Sequence, residues 1–209
     1  MRTRLLAAVV LVAALATAGC TGSAADEPSR GTAAAADGGV SGPLCAELPS
    51  RDEPGNPNAL SGKPVDETLG WIPVLTTFEG ALRASDLVPE LEGKKAITVL
   101  APSDDAFFAK FSQDNLDNMM IKDKDTLRTL LRAHIVDRAL TLAELRDADS
   151  LTTLDGTTVR LSDADAMARI GDEAQTVCAD YRVANGRVHV INHVLGNLPT
   201  TAGQGDSGH

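Results

Sequence analysis

The stretch Ile97-Thr98-Val99-Leu100-Ala101-Pro102-Ser103-Asp104-Asp105-Ala106-Phe107 changes character halfway along. Its first four residues form a short apolar run, the pattern of a buried strand. Ser103 then suits a helix N-cap, and Asp104 and Asp105 fall in the first turn, where the helix dipole favours negative charge. A strand that runs directly into a capped helix is therefore expected here. Upstream, Leu75, Phe78 and Leu82 sit at i, i+3 and i+7 of residues 74–84, with Pro73 suited to the first turn. Downstream, Leu127, Leu130, Leu131 and His134 line one helical face, and Thr141 with Glu144 forms a capping box. Beyond that point the period becomes two. Leu151 to Leu161 brackets Asp155-Gly156, Val183 to Leu195 brackets Asn185-Gly186, and both pairs are hairpin turn signals. A helical first half followed by a stranded second half reads as α+β. No internal repeat is present, so one domain is expected.

Composition narrows the function classes. The chain has 209 residues with 19 basic against 29 acidic side chains, a formal charge of −10. That balance excludes a nucleic-acid binder, which needs a basic face to neutralise phosphates. It also disfavours electrostatic adsorption to anionic lipid. The aromatic residues are four Phe, Trp71 and Tyr181, so the core must be aliphatic.

The ends read differently from the middle. Arg2 and Arg4 precede the uncharged run Leu5 to Ala16, and Thr17-Ala18-Gly19-Cys20 follows. This is the form of an export signal, too short to span a bilayer comfortably. Its small residues ending in cysteine resemble a bacterial lipobox, although Thr17 stands where leucine is commonest. That resemblance implies cleavage after residue 19 and diacylglycerol on Cys20. In residues 21–43, 18 of 23 positions are Ala, Gly, Ser, Thr or Pro, and Val40 is the one large apolar side chain. Such a segment buries too little surface to offset its ordering entropy. The expected organisation is a signal peptide over 1–19, an acylated cysteine and disordered tether over 20–43, a domain over 44–199 and a flexible tail over 200–209.

Catalytic and metal chemistry is not indicated. Gly205-Asp206-Ser207-Gly208 copies a protease nucleophile segment but stands five residues from the chain end, with nothing after it to build a pocket. Gly-x-Ser-x-Gly, His-Glu-x-x-His, phosphate-loop and dinucleotide motifs are missing. His189 and His193 would share one face of the expected strand but stand roughly 13 Å apart there, too far for one ion. Asp163-Ala164-Asp165 begins like a calcium loop, yet Ala168 and Ala174 occupy the positions needing Gly and Glu. That acidic pair reads as a solvated turn. His134, at the end of an apolar stripe, and His189, within a buried strand, read as hydrogen-bonded structural histidines. No catalytic residue, metal ligand or cofactor is expected, and the chain reads as a non-enzyme.

Ile97 to Phe107 resembles the first signature of fasciclin domains, with Ser103 in place of the usual threonine. Asn185-Gly186-Arg187-Val188-His189-Val190-Ile191-Asn192-His193-Val194-Leu195 is similar to the second, with Asn192 for its aspartate. Between them, Leu130 to Val136 occupies the place of the Tyr-His segment, with Ala133 for the tyrosine. The resemblance implies a single fasciclin domain, its helical first half packed on a β-sheet wedge formed mainly by the second half. Cys45, following Gly42-Pro43-Leu44, and Cys178 add a likeness to the secreted and lipid-anchored single-fasciclin antigens of mycobacteria. That likeness implies a Cys45–Cys178 disulfide, and acylation of Cys20 would leave those two as an even pair in an oxidising compartment. The function so implied is adhesion or protein contact at a bacterial cell surface, by a monomer that meets the membrane through Cys20 and an unknown protein or matrix partner through its domain. Shedding or secretion is a further expected fate. A candidate partner surface is His134-Ile135-Val136. The alternatives are a small-ligand or solute-binding envelope lipoprotein, which would need a deep apolar pocket, and an envelope hydrolase, which would need a clustered nucleophile and base.

Overall fold

The strand over Ile97–Pro102 is buried along its whole length because it is covered on both faces. The computed structural model describes residues 39–49 and 53–203. Ahead of this strand, β1, come α1 (Pro57–Leu60), α2 (Val65–Leu69), α3 (Thr76–Ala84) and α4 (Val88–Glu92). A 3-10 turn over Pro43–Glu47 precedes them, and another over Pro73–Leu75 leads into α3. After β1 follow α5 (Asp104–Lys110), α6 (Gln113–Ile121), α7 (Lys124–Arg132), β2 (Ile135–Val136) and α8 (Leu142–Asp147). The chain then runs through β3 (Ser150–Thr152), β4 (Thr158–Ala164), β5 (Met167–Ile170), β6 (Ala174–Val183) and β7 (Gly186–Ile191).

The sheet order is β2-β1-β7-β6-β5-β4-β3. The β1–β7 pair is parallel and the others antiparallel. Register explains why β1 and β7 look continuously apolar. Val99 opposes Val188 and Ala101 opposes Val190, and all four enter the core built with the helices. Leu100 opposes His189 on the other face, where Leu100 joins Leu140, Leu142 and Leu145 in a second apolar cluster. Thr98 can be buried there because its hydroxyl donates to Arg138 O (2.7 Å) and accepts from Leu140 N (2.8 Å). The architecture is α+β, with an N-terminal helical region packed against a mainly C-terminal sheet.

Local signals account for the elements that surround this centre. Ser103 caps α5 by accepting from Ala106 N, and Thr141 with Glu144 completes the capping box of α8. The β3–β4 connection spans residues 153–157, and Asp155 organises it by accepting from Thr153, from Thr157 N and from the Thr157 hydroxyl. A cap that no local pattern announces comes from across the fold. Asp104 accepts from Thr76 N (3.3 Å), Thr76 Oγ1 (2.8 Å) and Thr77 N (2.7 Å), closing the start of α3 from 28 residues away. Asp104→Ala is expected to lower stability by about 1–2 kcal/mol, the usual range for a lost N-cap. Urea unfolding would read this, and an unchanged midpoint would deny the cap a role.

Several expected boundaries shift. Val40 is fully buried and Ser41 bridges Ala179, so residues 40–43, expected as the end of a tether, belong to the folded domain. Thr201 N donates to Lys110 O and its hydroxyl accepts from Ser112 N, which fastens the first part of the tail expected over 200–209. β7 stops at Ile191, so His193 lies beyond the strand that the second hairpin signal was expected to carry to Leu195. Asp163 ends up in β4, while Asp165 makes the β4–β5 turn at φ +56°. The proposed signal peptide, Cys20 and Gly205 to Gly208 lie outside the described residues.

Candidate functional site

The His134-Ile135-Val136 surface does not exist. All three side chains are buried, none more than 5% exposed. The apolar stripe of α7 passes straight into β2, where Ile135 opposes Val99 and Val136 opposes Thr98. On the open side of β2, Leu154 N donates to Ile135 O at 2.7 Å, so even that edge is occupied. A run of apolar residues that continues past a helix marks burial here, and the expected partner surface is withdrawn.

The two buried histidines serve as joints. His134 Nδ1 donates to Leu130 O (2.8 Å) while Nε2 accepts from Leu195 N (2.8 Å), tying α7 to the segment after β7. His189 Nε2 donates to Leu140 O (2.8 Å) while Nδ1 accepts from Asp180 N (3.3 Å). Each ring is held in its neutral form with both nitrogens engaged, which leaves neither to act as a base. Burial pushes the His134 pKa down to about 4 against opposition from its bond to Leu130 and the charge of Asp155. Burial also lowers His189, against its bond to Leu140 and the charge of Asp180. His193 is exposed beside Asn192, so it shares no site with His189. Among the described residues no group of three or more His, Cys, Asp or Glu could hold a metal ion.

Acid sensitivity follows from the histidines. Above pH 6.5 they are neutral in both folded and unfolded chains and contribute nothing to a pH dependence. Below 6.5 the unfolded chain takes up protons that the native chain refuses, so stability falls as pH drops toward 4. At 1.36 kcal/mol per unit, His134 alone accounts for roughly 3 kcal/mol over that span. Urea midpoints at pH 7 and pH 4.5 would read it. A midpoint that does not move would show that the rings protonate in place.

The cysteines correct the membrane reading. Cys45 and Cys178 are joined by a disulfide across 133 residues. Among the described residues no thiol is left for acylation, and no helix there is long and apolar enough to cross a membrane. The expected attachment of the protein to a cell membrane by lipid is therefore not retained. Cys20, which that expectation used, lies outside the described residues.

A groove of about 1030 Å³ opens between α7 on one side and the β3–β4 and β5–β6 turns on the other, with residues 193–198 along its floor. Apolar contact comes from Leu130, Ala133, Val159, Leu195 and Leu198. Asp125 on α7 and Asp172 and Glu173 on the β5–β6 turn stand exposed around it. Asp155 adds a fourth carboxylate. Burial works to raise its pKa, but the bonds from Thr153 and Thr157 outweigh burial and hold it below the ordinary carboxylate range. Arg160 is the one lysine or arginine among the lining residues, His193 adds an exposed imidazole, and no Phe, Tyr or Trp is among them. Sequence reasoning did not reach this groove, because its four segments are scattered between residues 125 and 198. The one local hint is Gly171-Asp172-Glu173, which reads as a polar turn and nothing more.

With this geometry in hand, comparison with known proteins places the chain. The fasciclin domain profile matches residues 73–198. Transforming growth factor-beta-induced protein ig-h3 of Sus scrofa is 30% identical over 147 residues, covering 70% of this chain and 21% of that protein. Protein sll1483 of Synechocystis is 29% identical over 121 residues, covering 57% of this chain and 66% of that one. This chain thus spans about a fifth of the porcine protein's length and less than two thirds of the cyanobacterial one. A solved FAS1 domain pair from the insect cell adhesion molecule Fasciclin I is 24% identical, with a TM-score of 0.42, over 57% of this chain and 44% of that one. The profile match takes in the β1–α5 junction, the buried His134 segment and all of β7. The chain belongs to the fasciclin-domain family, whose domains are non-catalytic modules.

Proposed function

We propose that this chain is a contact module of the adhesion type, binding another protein through an exposed face of its fasciclin domain. The observation that carries this reading is the groove beside α7, an open, half-apolar and charge-rimmed surface on a domain whose buried histidines are all committed to structure. Family membership supports it, since the fasciclin resemblance implies adhesion. The disulfide supports work in an oxidising compartment. Within the family, the cysteines before and late in the domain support a place beside the mycobacterial single-fasciclin proteins.

Beads coated with the full chain should be retained on surfaces bearing bacterial envelope or host-matrix protein fractions, and heat-denatured chain should abolish that retention. Retention no greater than that of albumin-coated beads on every surface would end the adhesion reading.

A solute-binding role is the second reading, and the groove volume favours it, standing at the top of the range for small-molecule sites. Its open form and the lack of Phe, Tyr or Trp in its lining weigh against it. A thermal shift that grows with the concentration of a small solute would move the balance to this reading.

A further inference from the structure

The groove has a chemistry that selects its occupant. We propose that it takes an extended, basic segment of a partner protein, with lysine or arginine side chains against Asp125 and the Asp172–Glu173 pair and apolar side chains between them. This rests on the contact-module reading and adds the partner's character to it.

Charge complementarity points to a cation-bearing partner. Four carboxylates line the groove against one guanidinium. None of Asp125, Asp155, Asp172 or Glu173 is in an ion pair with a lysine or arginine of this chain among the described residues, although seven such pairs form elsewhere on the domain. An anionic partner would meet repulsion on both walls. The two acidic walls face each other across apolar contact, so a bare polycation would use the rim and leave the floor unfilled. Val159, Leu195 and Leu198 remain half-buried there, available to aliphatic side chains. A sugar or a nucleobase would find no Phe, Tyr or Trp face to stack on, only the single imidazole of His193. An extended chain meets these demands because its successive side chains alternate in direction, one set toward the floor and the other toward the carboxylates.

The floor and the β3–β4 side of the groove are also fixed before binding. His134 holds Leu195 from below, Arg132 bonds both Glu90 and Leu154 O behind the β3–β4 turn, and Asp155 locks that turn internally. A preformed groove spares the partner the cost of ordering it.

The test uses the full chain and a fluorescein-labelled eight-residue peptide of alternating lysine and valine. Two control peptides replace lysine by glutamate, or valine by serine. Binding of the lysine–valine peptide is expected, weakened at least tenfold by either control exchange and weakened further as salt rises. The double variant Asp172→Lys with Glu173→Lys should lower affinity at least tenfold, and Thr129→Trp, an exposed position on α7, should block the groove sterically. All three positions are exposed, so unchanged circular dichroism and melting would show that the variants still fold. Amide shifts on peptide addition should concentrate at Thr129, Gly171 and Gly196.

Equal binding of the glutamate peptide, shifts mapping away from the groove, or no binding at millimolar peptide would each overturn the proposal. The bead assay separates this from the broader reading. Retention that survives both groove variants refutes the groove and leaves adhesion standing. Peptide binding without any bead retention refutes adhesion and leaves the groove.

Discussion

Replacing Cys45 and Cys178 together by serine is expected to destabilise the domain by about 4–5 kcal/mol, the loop-closure value for a bridge of this span. The two residues are 133 apart in sequence, so in the unfolded chain their bond forbids most of the conformations otherwise available to the intervening segment. The loss has a structural side too. Residues 39–49 lie as a strap along β6, where Ser41 and Ala179 exchange backbone bonds of 3.1 and 2.8 Å. Val40 is the fully buried side chain of the strap, and Cys178 is fully buried beneath it. Without the bond, the strap keeps only the packing of Val40, Leu44 and Leu48 and the Ser41–Ala179 bonds, and should fray first. For a domain of this size the melting temperature should drop by roughly 10–15 °C. Calorimetry of the double variant, and of the wild type under reductant, reads the effect. A loss below about 1 kcal/mol in both would show that packing of the strap, and not the covalent link, closes the loop.

A second large loss is expected from adding a single methyl group. Gly186 opens β7 and pairs with Val183 on one side and with Ile97 on the other. Its φ is +157°, and a Cβ placed there would stand 1.9 Å from Ile97 O and 2.9 Å from Ile97 N. Those are backbone atoms of the central parallel pair, so no side-chain rotation relieves the clash. Gly186→Ala must part β7 from β1 or twist its own backbone. Overpacking of about 1–3 kcal/mol adds to conformational strain of similar size, giving a loss on the order of 4 kcal/mol. The neighbouring turn would suffer as well. Asn185 O accepts from Ile97 N, and its side chain accepts from Val65 N and donates to Leu91 O, so this corner ties α2 and α4 to the sheet. Gly156→Ala is the control, since a Cβ there meets nothing within 4 Å despite its φ of +89°. Its loss should reflect conformational strain alone. Equal losses at the two glycines would mean that the close approach of β7 to β1 is not what Gly186 serves.

The Asn185-Gly186 pair shows how far a local signal reaches. As a hairpin marker it leads correctly to an antiparallel β6–β7 pair. The two-residue connection is nevertheless Ala184 and Asn185, and the glycine belongs to the strand. Its conformational freedom is used for close packing on a strand 89 residues earlier in the chain. Asp104 has the same double life. Local reading puts it in the first turn of α5, and the fold also makes it the cap of α3. Val40 is the reverse case, a lone apolar residue in a small-residue stretch, which becomes core because the disulfide and β6 bring it there.

What the sequence determined by itself was local. The β1–α5 junction, the capping box of α8, the helical stripes and the α+β order all rest on hydrogen bonds and periodicities that span a few residues. The structural role of His134 and His189 was also legible, because each sits inside an apolar run. Tertiary structure alone decided which side chains face water. It buried Ile135 and Val136 against β1, ended β7 before His193, and assembled the acidic groove from α7, two turns and the segment after β7. Periodicity marks the face of an element that must be buried but does not name what covers it, and a groove is made of the faces that nothing covers.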